Sequence, residues 1–345
     1  MNKFEIKSPI FRHSDFKIIG NKINICQSKD YYFNNSKYLK KSISEFKTRK
    51  YSLINHDNKN FYSRKKKKFI SRSDILLNII KKKIKNKNCK ILDFGCNKGF
   101  LLAKLSKISF KNLYGYDLGK HYVNFLFKKN INFISNLSQK KNFFDVIIFS
   151  HSVAYLENIE KFLILVKKIT KQKSTLFFNI QDIEKRPLNF FLGDQKYHFN
   201  KNMVKNFFGK YGKVKFFNEE LLLHELLFFF QFTKKKTNKK FCTTSNEVLK
   251  AKELIKKIRK INCKCDILGT NLNSALTISI LKKKVENVVV EYRKSSNFFF
   301  KKKIICISEH KKKSIPLLIN FGNENNLIIS RLKEKFKLKN FIKIQ

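Results

Sequence analysis

The sequence predicts an α/β fold built around a doubly wound, mostly parallel sheet, followed by a second and smaller α/β region. From Asp74 to about Thr233, short apolar runs alternate with amphipathic stretches, which is the pattern of βα units. Lys234–Lys240 is a polar, basic break, and the same alternation restarts beyond it. We therefore divide the 345-residue chain into three segments, namely 1–73, 74–233 and 234–345.

The elements of the middle segment follow from apolar spacing and from turn residues. A helix is predicted at Ser73–Lys85, where apolar residues recur at helical spacing behind a Ser/Asp start. Further helices are predicted at Phe100–Ser106 and Ile159–Ile169. Strands are predicted, in chain order, at Lys90–Phe94, Asn112–Tyr116, Ile131–Ile134, Asp145–Phe149, Ser174–Ile180 and Leu221–Phe232.

The outer segments differ from each other in pattern. Residues 1–70 are polar, rich in Tyr and Lys and without a strong period, so we expect a lid or substrate-binding region there. The third segment predicts a helix at Asn246–Ile261, a strand at Cys265–Leu268, a second helix and a strand at Asn287–Glu291. The whole chain is thus expected to carry an N-terminal lid and a C-terminal α/β domain.

The charge of the chain has two explanations. A formal net charge of +51, from 76 Lys+Arg against 25 Asp+Glu, is typical of proteins that bind nucleic acid or anionic membranes. The chain is also rich in Phe, Asn and Ile, whose codons are A/T-rich like those of Lys, and it has no Trp and three Pro. Because the Lys runs are scattered along the sequence, we favour compositional drift over a dedicated nucleic-acid face.

A reduced, cytoplasmic setting is expected. No stretch of about 18 residues is free of charge, so no membrane span is predicted. Met1–Lys17 lacks the apolar region and cleavage site of a signal peptide. The seven cysteines form no paired framework, and Cys263 and Cys265 lack the CxxC partner of a zinc site, so no metal is predicted.

The strongest chemical signal is the turn Ile91–Gly99, with the sequence ILDFGCNKG. A glycine turn between a buried strand and a helix lets a ligand approach the backbone closely. The spacing is not GxGxxG and the GK[ST] of a phosphate loop is missing, which disfavours a dinucleotide or a nucleoside triphosphate. Asp117 ends the next strand about 20 residues further on, where a carboxylate can accept hydrogen bonds from both ribose hydroxyls.

These motifs resemble those of the class I S-adenosylmethionine-dependent methyltransferases. KILDFGCNKG is similar to the first motif of that family, YGYDLG to its ribose-binding motif, and FFDVIIFSHSVAYLEN to the motif of its fourth strand. The resemblance implies a Rossmann-like methyltransferase fold with S-adenosyl-L-methionine as cofactor. It also implies cofactor contacts at Asp93 near the methionine amino group, at Gly95, Cys96 and Gly99 in the turn, at Asp117 on the ribose, at Leu118 and Asn136 around the adenine, and at Ser150.

A fainter resemblance connects the chain to sugar C-methyltransferases. Asn179–Gly212 is similar to the region after their fifth strand, with Asp194 at the position of an acid and Gln195 at that of the histidine base. A Gln cannot take a proton. The candidates for catalysis are therefore His198 in this region, and His151 and Tyr155 after the fourth strand.

Two more segments resemble the same group. Asn60–Arg64 is similar to its aromatic N-terminal lid. Asp266–Ser274 stands where its C-terminal domain has a glycine-rich turn, but Asn271 and Ser274 replace two of the three glycines. This replacement favours a structural or substrate-holding role over a second cofactor site.

The sequence thus predicts a methyltransferase that acts on a small molecule, with a nucleotide-linked sugar or related metabolite as the expected acceptor. An RNA methyltransferase is one alternative, favoured by the charge, although Ser150–Val153 lacks the [DN]PP[YFW] motif of enzymes that methylate base amines. A non-catalytic cofactor-binding protein with a decayed site is the other, suggested by Asn97 and Gln195. The acceptor atom and the oligomeric state do not follow from the sequence.

Overall fold

The chain forms two compact units. The computed structural model describes residues 2–12, 17–36, 39, 57, 61–63, 68–119, 123–233, 246–291, 298–321 and 325–344. The first unit consists mainly of Cys26–Asp182 and Asp194–Thr244, and the second of Lys3–Ile25, Ile183–Gly193 and Ser245–Gln345. Residues 3–25, which the sequence assigns to the lid, are therefore part of the second unit. The predicted linker Lys234–Lys240 lies outside the described residues, as do Asn60 and Arg64 of the lid motif.

Strands and helices alternate through most of the described chain. The strands are β1 (Asn2–Phe11), β2 (Ile18–Gln27), β3 (Tyr32–Asn34), β4 (Phe61–Ser63), β5 (Lys68–Ile70), β6 (Lys90–Phe94), β7 (Asn112–Tyr116), β8 (Asn132–Phe133), β9 (Phe144–Ser150), β10 (Thr170–Gln181), β11 (Tyr197–His198), β12 (Gly212–Phe217), β13 (Glu225–Phe232), β14 (Cys265–Leu268), β15 (Val285–Val290), β16 (Phe298–Phe299), β17 (Lys302–Cys306), β18 (Leu317–Ile319) and β19 (Phe341–Lys343). The helices are α1 (Arg72–Lys83), α2 (Phe100–Ser106), α3 (Val123–Phe127), α4 (Ile159–Ile169), α5 (Lys201–Gly209), α6 (Glu247–Lys260), α7 (Leu272–Leu281), α8 (Ile307–His310) and α9 (Asn325–Phe336). None of these described helices has the length and apolar character needed to cross a membrane.

The sheet of the first unit has seven strands in the order β12-β13-β10-β9-β6-β7-β8. The five strands from β10 to β8 pair in parallel, and β13 and β12 add to the β10 edge in antiparallel fashion. The chain runs outward from β6 to β8 and then returns to β9 on the other side of β6. This reversal confirms the predicted doubly wound fold, and it places a switch point at the carboxyl ends of β6 and β9, where such sheets bind ligands.

Apolar side chains cover both faces of this sheet. On one face, α1 and α2 pack their apolar residues against the strands. On the other face, the rings of Phe149 and Phe178 stack with centroids 4.5 Å apart, and those of Phe178 and Phe228 with centroids 4.9 Å apart. Phe162 of α4 and Phe208 of α5 complete this aromatic layer. Each such buried side chain contributes about 1.5–3 kcal/mol of stability, so the carboxyl ends of the strands are held on a rigid layer.

The first helix begins at a well-formed cap that fixes the position of Arg72. The Ser71 hydroxyl accepts a hydrogen bond from the Asp74 backbone N–H, and the Asp74 carboxylate accepts one from the Ser71 N–H. This reciprocal capping box satisfies two backbone donors at the helix start. The helix therefore begins at Arg72, one residue before the predicted start, and this shift puts the Arg72 side chain beside the sheet edge.

The N-terminal segment contains strands, although its sequence shows no strong period. β1 and β2 contain ten residues each. In β1, Ile6, Ser8 and Ile10 are buried while Glu5 and Lys7 are exposed. Because the alternating outer residues are charged and one inner residue is Ser, the stretch has a polar composition that masks its period of two.

The second unit contains a six-stranded sheet in the order β16-β17-β15-β14-β18-β19. Its described pairings are parallel except for that between β16 and β17. The C-terminal segment is therefore α/β in structure, as predicted. The turn after β14, in which Asn271 and Ser274 replace glycines, begins at Gly269, whose φ is +83° and where a Cβ atom would lie 2.9 Å from the Phe321 ring.

Candidate functional site

The turn between β6 and α2 has a backbone that its two glycines make accessible. Gly95 and Gly99 have φ angles of +80° and +66°, a region that side chains disfavour. The N–H groups of Gly95 and Cys96 both donate to the carbonyl of Tyr116, at 2.8 and 3.1 Å. A Cβ atom at Gly95 would lie 2.8 Å from Cβ of Ser152. The glycine thus lets the loop after β9 approach the turn.

Asn97 occupies a position where the methyltransferase motif usually has glycine. Its φ is +51°, and Asn is among the few residues that adopt this left-handed conformation readily. Its N–H donates to Oδ2 of Asp117 at 2.9 Å. The turn therefore keeps its shape despite the replacement.

Two carboxyl groups lie at this turn in a chain that is otherwise strongly basic. Asp93 is 5% exposed, and burial, with a smaller contribution from the charge of Asp117, raises the pKa of Asp93 to about 7. Asp117 follows β7 and accepts hydrogen bonds from the N–H groups of Asn97 and Gly119, at 2.9 and 3.0 Å. Two neighbouring carboxyl groups of this kind favour a ligand that brings positive charge.

The remaining predicted cofactor residues have different surroundings. Leu118 is 44% exposed, next to Asp117, and can cover an apolar ring. The side-chain Oδ1 of Asn136 caps the turn Leu137–Gln139 by accepting from the Ser138 N–H at 3.0 Å. Cys96 is buried against Gly115, where a Cβ would lie 2.8 Å from its Sγ, and burial raises the pKa of the Cys96 thiol well above its usual value. This thiol is therefore neutral near pH 7, as expected of a packing residue.

Buried polar groups collect at the carboxyl ends of β9 and β10. Ser150 ends β9 and lies opposite Asn179 in the parallel register of the two strands. Asn179 is fully buried, and neither its amide oxygen nor its nitrogen has a hydrogen-bond partner among the described residues. The same holds for the Ser152 hydroxyl. Buried polar groups are normally satisfied, so these atoms mark the sheet edge as a place for a ligand or ordered water.

A charged cluster surrounds His151, which follows β9. Its Nε2 atom lies 2.8 Å from Nη1 of Arg72 and 3.2 Å from Oε2 of Glu225. Nη1 of Arg72 in turn contacts both carboxylate oxygens of Glu225 at 2.5 Å. Burial alone would raise the pKa of Glu225, but the charges of Arg72 and His151 hold it well below its usual range. The sequence identifies His151 alone of these three residues.

The other two catalytic candidates have distinct environments. The side-chain amide of Gln195 donates to the Tyr155 hydroxyl at 3.2 Å, so the structure brings the loop after β9 to the segment after β10. His198 lies in β11, which pairs with β3, and it is 5% exposed. Burial lowers the pKa of His198 to about 3. Its imidazole is therefore neutral near pH 7 and has little tendency to take a proton.

Comparison with known proteins identifies the family. Residues 51–225, just over half of the chain, match the family described as "Methyltransferase domain". The chain belongs to this family. It is a class I methyltransferase, and its cofactor is S-adenosylmethionine. A search of curated proteins finds no match to the sequence.

The solved structures to which the chain is similar share little sequence with it. A protein from Pyrococcus horikoshii OT3 is 16% identical over 47% of this chain and 90% of that chain, with a TM-score of 0.40. An S-adenosylmethionine-dependent methyltransferase from Mesorhizobium loti is 13% identical over 45% of this chain and 96% of that chain, with a TM-score of 0.35. A SAM-dependent methyltransferase from Archaeoglobus fulgidus is 21% identical over 55% of this chain and 89% of that chain, with a TM-score of 0.36.

The residues at the turn fit this cofactor chemically. S-adenosylmethionine carries a positive sulfonium and a positive amino group, and the buried carboxyl of Asp93 and the nearby Asp117 offer the opposite charge. Leu118 provides an exposed apolar surface beside Asp117. The close approach that Gly95 permits brings Ser152, in the loop after β9, against the turn.

Proposed function

We propose that this methyltransferase transfers the methyl group to a small-molecule acceptor, with a nucleotide-linked sugar or related metabolite as the first candidate. The observation that supports a small acceptor is the enclosure of the polar side chains after β10. Asp194, Gln195 and His198 are 1%, 2% and 5% exposed. Concave, enclosed sites with a few placed polar groups suit small ligands, whereas a polymer needs an open face. The preference for a sugar comes from the resemblance of Asn179–Gly212 to sugar methyltransferases.

The chain contributes mainly positioning to this reaction. The bound cofactor supplies a methyl group on a positively charged sulfur, which is already a good leaving group. Asp117 would fix the ribose and Asp93 would face the methionine amino group, so that the reacting carbon is held in one orientation. Holding two reactants in line accounts for a large part of the rate of such transfers. A base is needed only when the acceptor atom must lose a proton.

Among the predicted catalytic residues, His151 is the base that we propose. The pKa of about 3 makes His198 a weak proton acceptor near pH 7. His151 instead precedes Ser152, whose Cβ lies against the cofactor turn, and it contacts the carboxylate of Glu225. Tyr155, with Gln195 as its hydrogen-bond donor, would contact the acceptor from the same loop.

The acceptor class can be tested with methyl-labelled S-adenosylmethionine. The full-length protein would be incubated separately with nucleotide-linked sugars, other small metabolites and RNA, with the Asp117→Ala variant as the cofactor-binding control. We expect label in one of the small-molecule pools. Label in RNA alone, with an affinity that falls steeply with salt, would contradict the proposal and support an RNA methyltransferase. Cofactor binding without transfer to any pool would support the non-catalytic alternative.

A further inference from the structure

We propose that Glu225 and Arg72 are positioning residues for His151, holding its imidazole at the carboxyl edge of the sheet and setting its affinity for a proton. The proposal rests on the proposed function in one respect, because it takes His151 to be the base. Neither residue is part of a sequence motif. The inference comes from the three-dimensional cluster that joins α1, the loop after β9 and the start of β13.

The backbone at His151 indicates a constrained position. Its φ is +58°, in the left-handed region that residues other than glycine adopt uncommonly. The conformation is held by a hydrogen bond from the His151 N–H to the carbonyl of Asn179, 2.8 Å long. Residues kept in such conformations by their surroundings cluster at functional sites. The His151 side chain therefore leaves the backbone in a direction different from that in a regular strand.

Glu225 and Arg72 fix the ring from two different elements. Glu225 is the first residue of β13 and lies opposite Gln181 in the antiparallel register with β10, so its carboxylate is at the carboxyl end of β10. Arg72 is the first residue of α1, and its guanidinium also lies over the Phe61 ring, 5.3 Å from the centroid. Glu225 is only 9% exposed in its side chain and Arg72 is 31% exposed. Both charges are thus held by buried or half-buried contacts.

The geometry also determines which ring nitrogen acts. Nη1 of Arg72 can only donate, so in the neutral ring Nε2, 2.8 Å away, is the acceptor and the basic atom. A proton removed from the acceptor molecule would be taken by Nε2 as the acceptor atom bonds to the methyl carbon and the carbon–sulfur bond breaks. The positive charge of the sulfonium would then be replaced by that of the imidazolium. The protonated Nε2 can donate to Oε2 of Glu225, 3.2 Å away, and this carboxylate stabilises the imidazolium.

Arg72 and Glu225 have opposite effects on proton uptake. A carboxylate near the ring favours the protonated imidazole, and a guanidinium disfavours it. Among the described residues, α1 contributes Arg72 and β13 contributes Glu225 beside this ring, while β9 and β10 bring the uncharged Ser150 and Asn179 to the same edge. Removal of one charge at a time should therefore move the pKa of His151 in opposite directions. Side chains that serve only the packing of the sheet edge, without acting on the ring, would leave this pKa unchanged.

The test measures that pKa directly. The ring proton of His151 would be followed by NMR between pH 4 and pH 9 in full-length, histidine-labelled protein with S-adenosylhomocysteine, and assigned by its loss in His151→Gln. We expect Glu225→Gln to lower the pKa of His151 by about one unit and Arg72→Gln to raise it by about one unit. Glu220→Gln, an exposed glutamate on the turn before β13, is the matched control and should change nothing. The double variant Arg72→Gln/Glu225→Gln keeps two neutral side chains of similar size and should fold even if a single variant does not.

The rate gives an independent reading once an acceptor is known. With Glu225→Gln, the acidic limb of the kcat/KM profile should move to lower pH and the plateau should fall by about 10²-fold, since a base that is badly oriented loses part of its effect. The double variant, in which the two opposite shifts cancel, should keep the midpoint of the parent protein, whereas an unchanged midpoint in both single variants, or a large shift in the double variant, would overturn the positioning role. Opposite shifts by NMR together with full activity of His151→Gln would keep the positioning role and overturn the assignment of the base.

Discussion

Replacement of Asp117 by alanine should weaken cofactor binding through a loss that the structure allows us to estimate. The Asp117 carboxylate accepts the N–H groups of Asn97 and Gly119, at 2.9 and 3.0 Å, and it is the group that we expect to accept the ribose hydroxyls. Hydrogen bonds to a charged partner contribute about 1.5–3 kcal/mol. With about 1.4 kcal/mol for each tenfold change in Kd, Asp117→Ala should weaken S-adenosylmethionine by roughly 10- to 100-fold.

Calorimetric titration of full-length protein with S-adenosylmethionine and S-adenosylhomocysteine measures this change. Asp145→Ala is a matched control, because the Asp145 carboxylate also accepts a backbone N–H, that of Lys90 at 2.8 Å, but from the opposite end of the sheet. It should cost stability and leave the affinity unchanged. Asp117→Asn keeps one acceptor oxygen and should give an intermediate loss. Equal affinity of Asp117→Ala and the parent protein would refute the assignment of this residue to the ribose.

Three further predictions concern titratable groups. Because the pKa of Asp93 is raised to about 7, above its unfolded value of about 3.9, the cofactor-free protein should lose stability as pH rises from about 4 to about 7. In chemical denaturation, Asp93→Asn should abolish this loss. The same variant should weaken cofactor binding at pH 8. His198→Asn should reduce turnover less than tenfold while His151→Gln reduces it by about 10²–10⁴-fold, as measured by initial rates with a cofactor-binding control; the reverse order would return the role of base to His198. In the second unit, burial alone would raise the pKa of Asp266, but the hydrogen bonds of its carboxylate, including one with Nδ1 of His310 at 2.8 Å, lower this pKa. The second unit should therefore lose stability as pH falls below about 4. An unchanged acid transition in Asp266→Asn would contradict this.

The cofactor-binding core was predictable from sequence because its signals are local. β6, β7, α2 and α4 have the predicted bounds, since each is a short apolar run or an amphipathic stretch next to its own turn residues. The turn Ile91–Gly99 and Asp117 could be assigned in the same way, because a glycine turn and an acid at the next strand end belong to one βαβ unit. Family membership then confirms the cofactor.

Tertiary structure alone decided the chemistry beside that turn. In the sequence, Arg72 lies 79 positions from His151 and 153 positions from Glu225. The sequence around Arg72 and around Glu225 contains no pattern that indicates a functional site. Glu225 lies within the apolar run Leu221–Phe232, which predicts only a buried strand, and Arg72 is one of many basic residues in a chain of charge +51. They meet His151 because β13 pairs antiparallel with β10 while α1 starts at the same edge of the sheet. Because the pairing of distant strands depends on the packing of the whole sheet, the local amino-acid pattern does not show which distant residue will contact which.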